Sequence, residues 1–389
     1  MKIVHVCICS RYNEKVVYQE NLLSKYQHRL GHEVTVIAST YIGEDSNGGV
    51  VQTDCRLNVD DEGVKVVRLQ PALANTRINE HLFLVRGLEK AIVDEQPDLL
   101  FVHNLGSFSY LAIPRVARRL PNMKVVFDNH GDRTNSCHSF ITKFLHGVLY
   151  RHILSPRFMK VSNLFYGVTP ARCQFLHDVY GIDESKIRLL VMGVDDEHLH
   201  LDRKAEIRRS IRSQYGIADD EFLVVTGGRI DLKKRIHLLA EAINGSSEKK
   251  IRMLAFGSIA NDVKERIEAC RSERVNFIGW IDSSKAYDYF FAADLVVFPG
   301  RHSVLWEQAV ASHVPCVFNR ISGFEHVDIG GNCVFFEEST PDYYRQVIES
   351  LYGDKQRYAA MYAAADSPAA DRMLYSRIAQ QVLTDAFEK

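Results

Sequence analysis

Short runs of apolar, often β-branched residues alternate along this chain with longer stretches in which apolar positions recur every three or four residues. The short runs have the length and composition of buried strands, and the longer stretches have the period of amphipathic helices. Such an alternation is typical of parallel strands joined by crossover helices, so the sequence predicts an α/β fold. In the first half we predict strands near 2–8, 33–38, 64–69, 98–102, 123–127, 163–168 and 187–191, with helices near 16–30, 79–95, 107–120, 138–152 and 170–179.

A break in this pattern divides the chain. After Asp195 a mostly polar stretch has no strand pattern, which resumes with Phe222-Leu-Val-Val-Thr226. We therefore predict an N-terminal domain over 1–195, a C-terminal domain over 196–368, and a final helical segment over 369–389 that packs back on the N-terminal domain. The second series has predicted strands near 222–226, 251–256, 275–278, 294–298, 315–318 and 332–336, and helices near 234–243, 261–271, 285–292, 304–312, 341–351, 355–365 and 371–387.

The amino-acid composition argues against several classes of protein. A hydrophobic fraction of 46% and a charged fraction of 25% suit an ordinary globular chain, and a net charge of −1 argues against a dedicated nucleic-acid binder. No apolar run approaches the ~18 residues of a membrane-spanning helix, and residues 1–7 are typical of a first strand rather than a signal peptide. The expected location is the cytoplasm. The eight cysteines are scattered, which favours reduced core thiols over a zinc or redox site.

Ligands of open parallel sheets bind at the carboxyl ends of the strands, so residues just after predicted strands are the candidates for chemistry. Thr226-Gly-Gly-Arg229 follows one strand, and Lys234 stands near the start of the next helix. Glycines let a ligand approach the backbone, while the two cations and the helix-start N–H groups suit an anion. A glycine turn with a solvated basic helix end is the alternative. Cations are unfavourable at a helix start, which favours the anionic ligand.

A second group of candidates follows the predicted strand at 294–298. Gly300-Arg-His-Ser303 forms a turn, Ser303 is the predicted N-cap, and Glu307 lies one turn into the following helix. A carboxylate at this point can accept two hydroxyl protons from a ribose. It can instead be a helix residue that is favoured by the helix dipole.

The third group is Asp128-Asn-His-Gly-Asp132, after the predicted strand at 123–127. A lone histidine is more often structural, but the polar groups around His130 favour the edge of an active site. Asp128 and Asp132 have no evident third ligand, so we predict no metal site. Other polar candidates are Asp132, His103 and Asn104 after the predicted strand at 98–102, and Tyr18, Gln19, Glu20 and Asn21 after the first strand, where an ordinary helix start is an equal alternative.

Several segments together resemble a known family. They are Gly31-His-Glu-Val-Thr-Val-Ile37, Pro97-Asp98, Gly193-Val-Asp195, Gly227-Gly-Arg229 with Lys234, Ala292-Ala-Asp294 and Glu307. The chain resembles the retaining nucleotide-sugar glycosyltransferases of family 4, of the bacterial surface-polysaccharide type. That resemblance implies the GT-B fold, in which two Rossmann-like, doubly wound parallel-sheet domains face each other across a cleft. The N-terminal domain then binds the acceptor, and the C-terminal domain binds the nucleotide sugar. The acceptor contacts that this implies are His103, Asn104, Asp132, Tyr18, Gln19, Glu20 and Asn21.

The resemblance also implies roles for individual residues. Arg229 and Lys234 resemble the pair that holds the donor diphosphate, Glu307 the glutamate that binds the ribose, and His130 the active-site histidine that reaches the donor sugar. An earlier glutamate of the family is replaced here by Pro299. We therefore expect Arg301, His302 and helix-start amides to contact the sugar or phosphate instead. Gly228, Gly300 and Ser303 complete the predicted donor set.

The predicted activity is transfer of a sugar from a nucleoside-diphosphate donor, by default a UDP-sugar, to a glycan or lipid-linked acceptor. The resemblance implies retention of the anomeric configuration without a metal or cofactor. The alternatives are a nucleotide-sugar epimerase of the same fold and a non-catalytic binder of sugar nucleotides. A nicotinamide dehydrogenase is disfavoured because no G-x-G-x-x-G follows the first strand.

One stretch suggests a further partner. From Arg133 through His177 there is no Asp or Glu, while basic and apolar residues alternate. A basic helix with an apolar face suits an anionic bilayer or a lipid-diphosphate acceptor. We predict that 138–160 contacts an anionic membrane surface, which places the protein peripherally at the inner face of the plasma membrane. A core-packing helix with a solvated basic face is the alternative.

Overall fold

A computed structural model describes the chain except residues 17, 45–48, 74–78, 80, 81, 134, 135, 138, 163 and 389, and the side chain of Ile141. The chain folds into two compact units. The first contains Met1–Val191 and Tyr375–Lys389, and the second contains Met192–Leu374. The sequence prediction placed the corresponding division after residue 195.

The first unit is built on a sheet of eight strands. Their bounds are β1 Lys2–Cys7, β2 Glu33–Ser39, β5 Leu57–Val59, β6 Lys65–Leu69, β7 Leu99–Val102, β8 Lys124–Asn129, β9 Leu164–Gly167 and β10 Ile187–Leu189, and the pair β3 Tyr41–Glu44 and β4 Val50–Gln52 forms a separate antiparallel ribbon. The helices are α1 Gln19–Arg29, α2 Leu88–Glu95, α3 Ile113–Arg119, α4 Phe140–Phe144, α5 Ser155–Phe158 and α6 Pro170–Asp178, with a π-helix over Leu145–Leu154 and 3-10 helices over Phe108–Ala112 and Glu184–Lys186.

The strand order of this sheet is β10-β9-β8-β7-β1-β2-β6-β5. Every described pair is parallel except β5 with β6. From β1 the chain winds one way to β2 and β6, then returns to β7 and winds the other way. This reversal between β1 and β7 is a topological switch point, where ligands of such sheets bind. All four residues of β7 are buried, as expected of a central parallel strand with both faces covered.

The second unit repeats the plan with a six-stranded parallel sheet in the order β13-β12-β11-β14-β15-β16. Its strands are β11 Phe222–Gly227, β12 Ile251–Phe256, β13 Val275–Gly279, β14 Leu295–Phe298, β15 Cys316–Asn319 and β16 Cys333–Phe336. Its helices are α7 Lys204–Gln214, α8 Ile236–Gly245, α9 Lys264–Cys270, α10 Ala286–Ala292, α11 Leu305–Ala311, α12 Pro341–Gly353 and α13 Lys355–Ala365, with 3-10 helices over Asp196–His198, Leu201–Arg203, Leu232–Lys234, Ser283–Lys285, Glu325–Val327 and Pro368–Met373. The switch point lies between β11 and β14.

The last helix, α14 Tyr375–Phe387, lies in the first unit. Its buried residues, Tyr375, Ile378, Ala379 and Val382, recur at helical spacing and form one apolar face. The Tyr375 ring stacks on that of Tyr26, with 6.5 Å between the ring centroids. These contacts fix the end of the chain on the first sheet.

The predicted α/β fold with two doubly wound parallel sheets is confirmed. Three short strands, β3, β4 and β5, were not predicted, because three or four residues are too few to establish a period. The helix predicted at 138–152 extends to Phe158 and has wider π-type turns in its middle. In the described part of the chain, no helix is long and apolar enough to cross a membrane.

Candidate active site

The first candidate group lies at the switch point of the second sheet. Gly228, just after β11, has φ +100°, a conformation that side chains rarely adopt. Arg229 follows it and is exposed. Together with Arg301, which follows the neighbouring strand β14, Arg229 lines an open cavity of about 610 Å³. Asp231, Lys233 and Asp262 line the same cavity, so the two loops that the sequence singled out meet around one space.

Lys234 is held against the second of these loops. Its Nζ donates to the carbonyl oxygen of Arg301 at 2.8 Å. A Cβ on Gly300 would lie only 2.5 Å from the carbonyl oxygen of Lys233, so glycine is required for this approach. The pKa of Lys234 is lowered to about 8, mainly by burial and also by the charge of Arg301, against the opposing effect of Asp231. A cation kept partly out of water at this point is well suited to an anionic ligand.

The local backbone differs from the prediction in two details. A 3-10 turn over Leu232–Lys234 separates the glycine loop from α8, so the loop does not open that helix directly. The prediction of Ser303 as an N-cap is wrong, because α11 has Val304 at its N-cap position and no side-chain cap. Ser303 Oγ is buried without a hydrogen-bond partner among the described residues.

Glu307 is fully buried in α11 and is clamped by two histidines. Its Oε1 accepts hydrogen bonds from His302 Nε2 at 2.9 Å and from His326 Nε2 at 2.8 Å. Its Oε2 is buried and has no partner in the described structure. Burial raises the pKa of Glu307, but the two histidines outweigh that effect and hold the pKa well below its usual range. Glu307 is therefore an ionised carboxylate with one oxygen left over for a ligand.

His302, Glu307 and His326 also have the composition of a metal centre. Their ligand atoms lie within 4.8 Å of one another, and two imidazoles with a carboxylate can bind a transition metal. However, a metal-bound imidazole ordinarily donates its other N–H to an acceptor. His326 Nδ1 has no partner in the part of the chain that is described. We interpret the group as a hydrogen-bonded clamp on Glu307.

The clamp includes a residue that the sequence analysis missed. His326 lies in the 3-10 turn that follows β15, the strand beside β14. The rule that ligands gather after parallel strands would have included it. It was missed because Gly323-Phe-Glu-His326 contains no motif of its own.

In the first unit, the structure brings His103, Asn104, Asp128 and His130 together. Asp128 Oδ2 accepts from His103 Nδ1 at 2.9 Å, and Asp128 Oδ1 accepts from the backbone N–H of Asn104 at 2.7 Å. His130 Nε2 lies 3.4 Å from Asp128 Oδ2. Burial lowers the pKa of His130, but the charge of Asp128 prevails and the net effect raises that pKa. Asp128 and His130 of the cluster predicted after the strand at 123–127 therefore belong to one polar network with His103 and Asn104, and Asp128 itself lies within β8.

A cavity of about 800 Å³ opens beside His130 and is lined mostly by apolar surface. Asn104 and Asn129 provide polar groups at its lining. The other lining residues are Cys9, Leu82, Phe83, Leu105, Gly106, Gly131, Ser136, Ser139, Thr142, Leu145, His146, Tyr150 and Tyr180. This space is large enough for a sugar with an apolar substituent.

The other predicted acceptor contacts do not line this cavity. Asp132 is buried and lies 3.7 Å from Arg172 Nε. Tyr18 is exposed at the start of α1, and Asn21 donates from Nδ2 to the carbonyl oxygen of Asn13 at 3.2 Å. This hydrogen bond of Asn21 stabilises the loop after β1.

Comparison with known proteins links both units to one class of enzyme. Residues 21–198 match the family described as Glycosyltransferase Family 4, and residues 207–367 match the family described as Glycosyl transferases group 1. An uncharacterized glycosyltransferase of Methanocaldococcus jannaschii is 22% identical over 315 residues, which cover 77% of this chain and 75% of that protein.

Solved structures show the same fold. A glycosyltransferase from Rickettsia africae has a TM-score of 0.71 at 15% identity, covering 99% of this chain and 97% of that one. HepE of Anabaena, solved in complex with UDP-glucose, has a TM-score of 0.66 at 15% identity, covering 99% of each chain.

Proposed function

Because the chain is a glycosyltransferase with the GT-B fold, we propose that it transfers a sugar from a nucleoside-diphosphate donor to a glycan or lipid-linked acceptor, with retention of the anomeric configuration. The observation that carries this proposal is that Arg229 and Arg301 line one cavity at the switch point of the second sheet, with Lys234 hydrogen-bonded to the backbone of Arg301. The UDP-glucose complex of HepE supports a UDP-sugar as the first donor to test. The matched families do not favour the epimerase or the non-catalytic binder.

The proposed reaction breaks the bond between the anomeric carbon and the diphosphate oxygen. The acceptor hydroxyl oxygen forms the new bond on the face from which the diphosphate departs, and its proton passes to a phosphate oxygen. Negative charge therefore develops on the leaving diphosphate. Arg229 and Lys234 are proposed to stabilise that charge electrostatically, without a metal. Glu307 Oε2 is proposed to accept from the ribose, and His130 to act beside the acceptor in the cavity of the first unit.

A thermal-shift panel tests the donor assignment. A nucleotide sugar at 100 times its Kd stabilises the folded state by about 2.7 kcal/mol, which is a readily measured shift in melting temperature. We expect the shift with UDP-sugars and not with free sugars at the same concentration. The follow-up is release of the free nucleoside diphosphate in the presence of candidate acceptors. If no nucleoside diphosphate or nucleotide sugar shifts the melting temperature, the donor site is wrongly assigned.

The pH dependence tests Lys234. Since its pKa lies near 8, the free enzyme loses this positive charge as the pH rises through that value. We expect kcat/KM to fall above about pH 8, because that parameter reports the ionisation of the free enzyme. Lys234→Arg remains charged throughout the range and should lose the alkaline fall at this pH. Both enzymes use the same substrates, so ionisation of the substrates cancels in the comparison. Identical alkaline limbs in the two profiles would rule out Lys234 as the titrating group.

We also propose peripheral membrane binding through the segment 138–160, apart from residue 138 and the Ile141 side chain, which lie outside the described residues. Phe140, Phe144 and Val148 are exposed by 85%, 56% and 44% and recur every four residues along one stripe. The neighbouring stripe contributes Lys143 and Arg151 to a cavity of about 640 Å³. Arg133 and His152 also line that cavity, together with the acidic Asp178. An apolar stripe beside a basic one suits the surface of an anionic bilayer.

Vesicle co-sedimentation tests this surface. We expect the protein to bind vesicles that contain phosphatidylglycerol, and the double variant Phe140→Ser, Phe144→Ser to bind at least about 10-fold more weakly, since burying one such side chain contributes about 1.5–3 kcal/mol. Trp280→Ser is the matched control, because Trp280 is an exposed aromatic residue of the second unit. Equal sedimentation of the double variant and the wild type would exclude the stripe as the membrane contact.

A further inference from the structure

A chain of buried polar side chains continues inward from His130. Beyond Asp128 and His103, the Nε2 of His103 lies 3.0 Å from His5 Nδ1, and His5 Nε2 lies 2.7 Å from Gln27 Oε1. Gln27, His5, His103 and Asp128 are at most 1% exposed. The sheet explains the alignment, because His5, His103 and Asp128 stand on or just beyond the neighbouring strands β1, β7 and β8.

With the Gln27 amide oxygen facing His5, the hydrogen bonds define one arrangement of the protons. The amide oxygen of Gln27 can only accept, so His5 Nε2 carries a proton. Burial and the neighbouring His103 lower the pKa of His5 to about 3, so His5 is neutral and its Nδ1 must accept. The proton in that bond therefore belongs to His103 Nε2. His103 also donates from Nδ1 to Asp128, so in this arrangement of hydrogen bonds both of its ring nitrogens donate.

A second arrangement of the protons differs in the orientation of the Gln27 side-chain amide. Gln27 Nε2 is buried without a partner in the described structure, so the amide can reverse and donate to His5. His5 then donates from Nδ1 to His103, which becomes neutral. In this arrangement His130 is the remaining histidine beside Asp128 that can carry the balancing positive charge. The positive charge that accompanies Asp128 can thus reside on either of two histidines.

We propose that His5, His103 and Gln27 are positioning residues that hold the balancing proton inside the first unit and leave His130 neutral beside the acceptor cavity. The proposal rests on the catalytic role proposed for His130. A neutral imidazole can accept a hydrogen bond from an acceptor hydroxyl and so orient it, whereas an imidazolium can only donate. Removing the imidazole of His5, the partner of His103 Nε2, should transfer the balancing proton to His130.

Charged groups outside this chain of side chains also influence the pKa of His130. Besides Asp128, Glu20 acts to raise the pKa of His130, and Arg172 acts to lower it. They are constant across the variants below, so a shift among those variants reports the buried chain.

The test is a titration of His130 by NMR of ¹⁵N-histidine-labelled full-length protein, assigned with His130→Gln. We expect His5→Phe to raise the pKa of His130 by about one unit, the size of effect that a lost neighbouring charge produces. Gln27→Met, which keeps the volume and removes the amide, should shift it in the same direction by less. His237→Phe is the control, because His237 is a buried histidine of the second unit.

Kinetics provide the second readout. In His5→Phe the acid limb of the kcat profile should move to higher pH by the same amount, with the KM for the donor unchanged. If His5→Phe does not fold, as judged by its thermal melt, Gln27→Met decides the outcome. An unchanged pKa of His130 in the folded variants, or an equal shift in His237→Phe, would overturn the proposal. An inactive wild-type protein would count against the proposed function instead, since the NMR titration needs no turnover.

Discussion

Replacing Lys234 by alanine is expected to slow turnover about 100-fold, which corresponds to a loss of about 3 kcal/mol of transition-state stabilisation. Its ammonium group is half-buried against the loop after β14, where charge interactions are less screened than in water. Arg229→Ala is expected to reduce turnover in the same direction. Because Arg229 is exposed, its loss should be the smaller of the two and more sensitive to salt. The measurement is kcat under donor saturation.

Lys250→Ala is the matched control for these two variants. Lys250 is an exposed lysine of the same unit that pairs with Asp220 at 2.7 Å, away from both loops. Its removal should leave kcat as it is in the wild type. If Lys234→Ala and Arg229→Ala fold and turn over at the wild-type rate, the diphosphate does not depart between these cations, and the proposed chemistry is wrong.

Two substitutions of Glu307 should have different effects, one on the stability of the fold and the other on the affinity for the nucleotide. Glu307→Ala leaves His302 and His326 without their shared acceptor, and each buried donor left unsatisfied costs about 1–3 kcal/mol. We expect a marked fall in melting temperature. Glu307→Gln keeps the size of the side chain and removes its charge. Since a hydrogen bond to a charged group contributes about 1.5–3 kcal/mol, this variant should bind the donor roughly 10- to 100-fold more weakly.

Calorimetric titration with the nucleoside diphosphate measures that affinity. Glu337→Gln is the control, because Glu337 pairs with Arg320 at the surface of the same unit. It should bind the nucleotide as the wild type does. A folded Glu307→Gln protein with unchanged nucleotide affinity would refute the proposed contact between Glu307 Oε2 and the ribose.

Much of the fold could be predicted because the central strands are continuous apolar runs with distinct boundaries. Phe222–Gly227 and Leu99–Val102 are buried along their whole length, as their composition indicates. The short strands β3 to β5 escaped prediction because their pairing, and not their composition, makes them strands. Propensity is a weak guide where a segment has only three or four residues.

The candidate site could be predicted only in part. Arg229, Lys234 and Arg301 were found because each follows a parallel strand, and the structure shows that their loops meet. The burial of Glu307 between two imidazoles could not be predicted. His326 is 19 positions from Glu307, and the sequence does not show which side chains from separate loops will pack together.

The sequence by itself determined the two series of strands and helices and the residues that follow the strands, because hydrophobic period and turn chemistry act over a few neighbouring positions. Only the tertiary structure decided the partners of those residues. His5 and His103 are 98 positions apart, yet they share a proton because β1 lies beside β7. Strand order arises from how the whole sheet buries its apolar surface, so the hydrogen-bonded networks of both units depend on packing that local sequence does not encode.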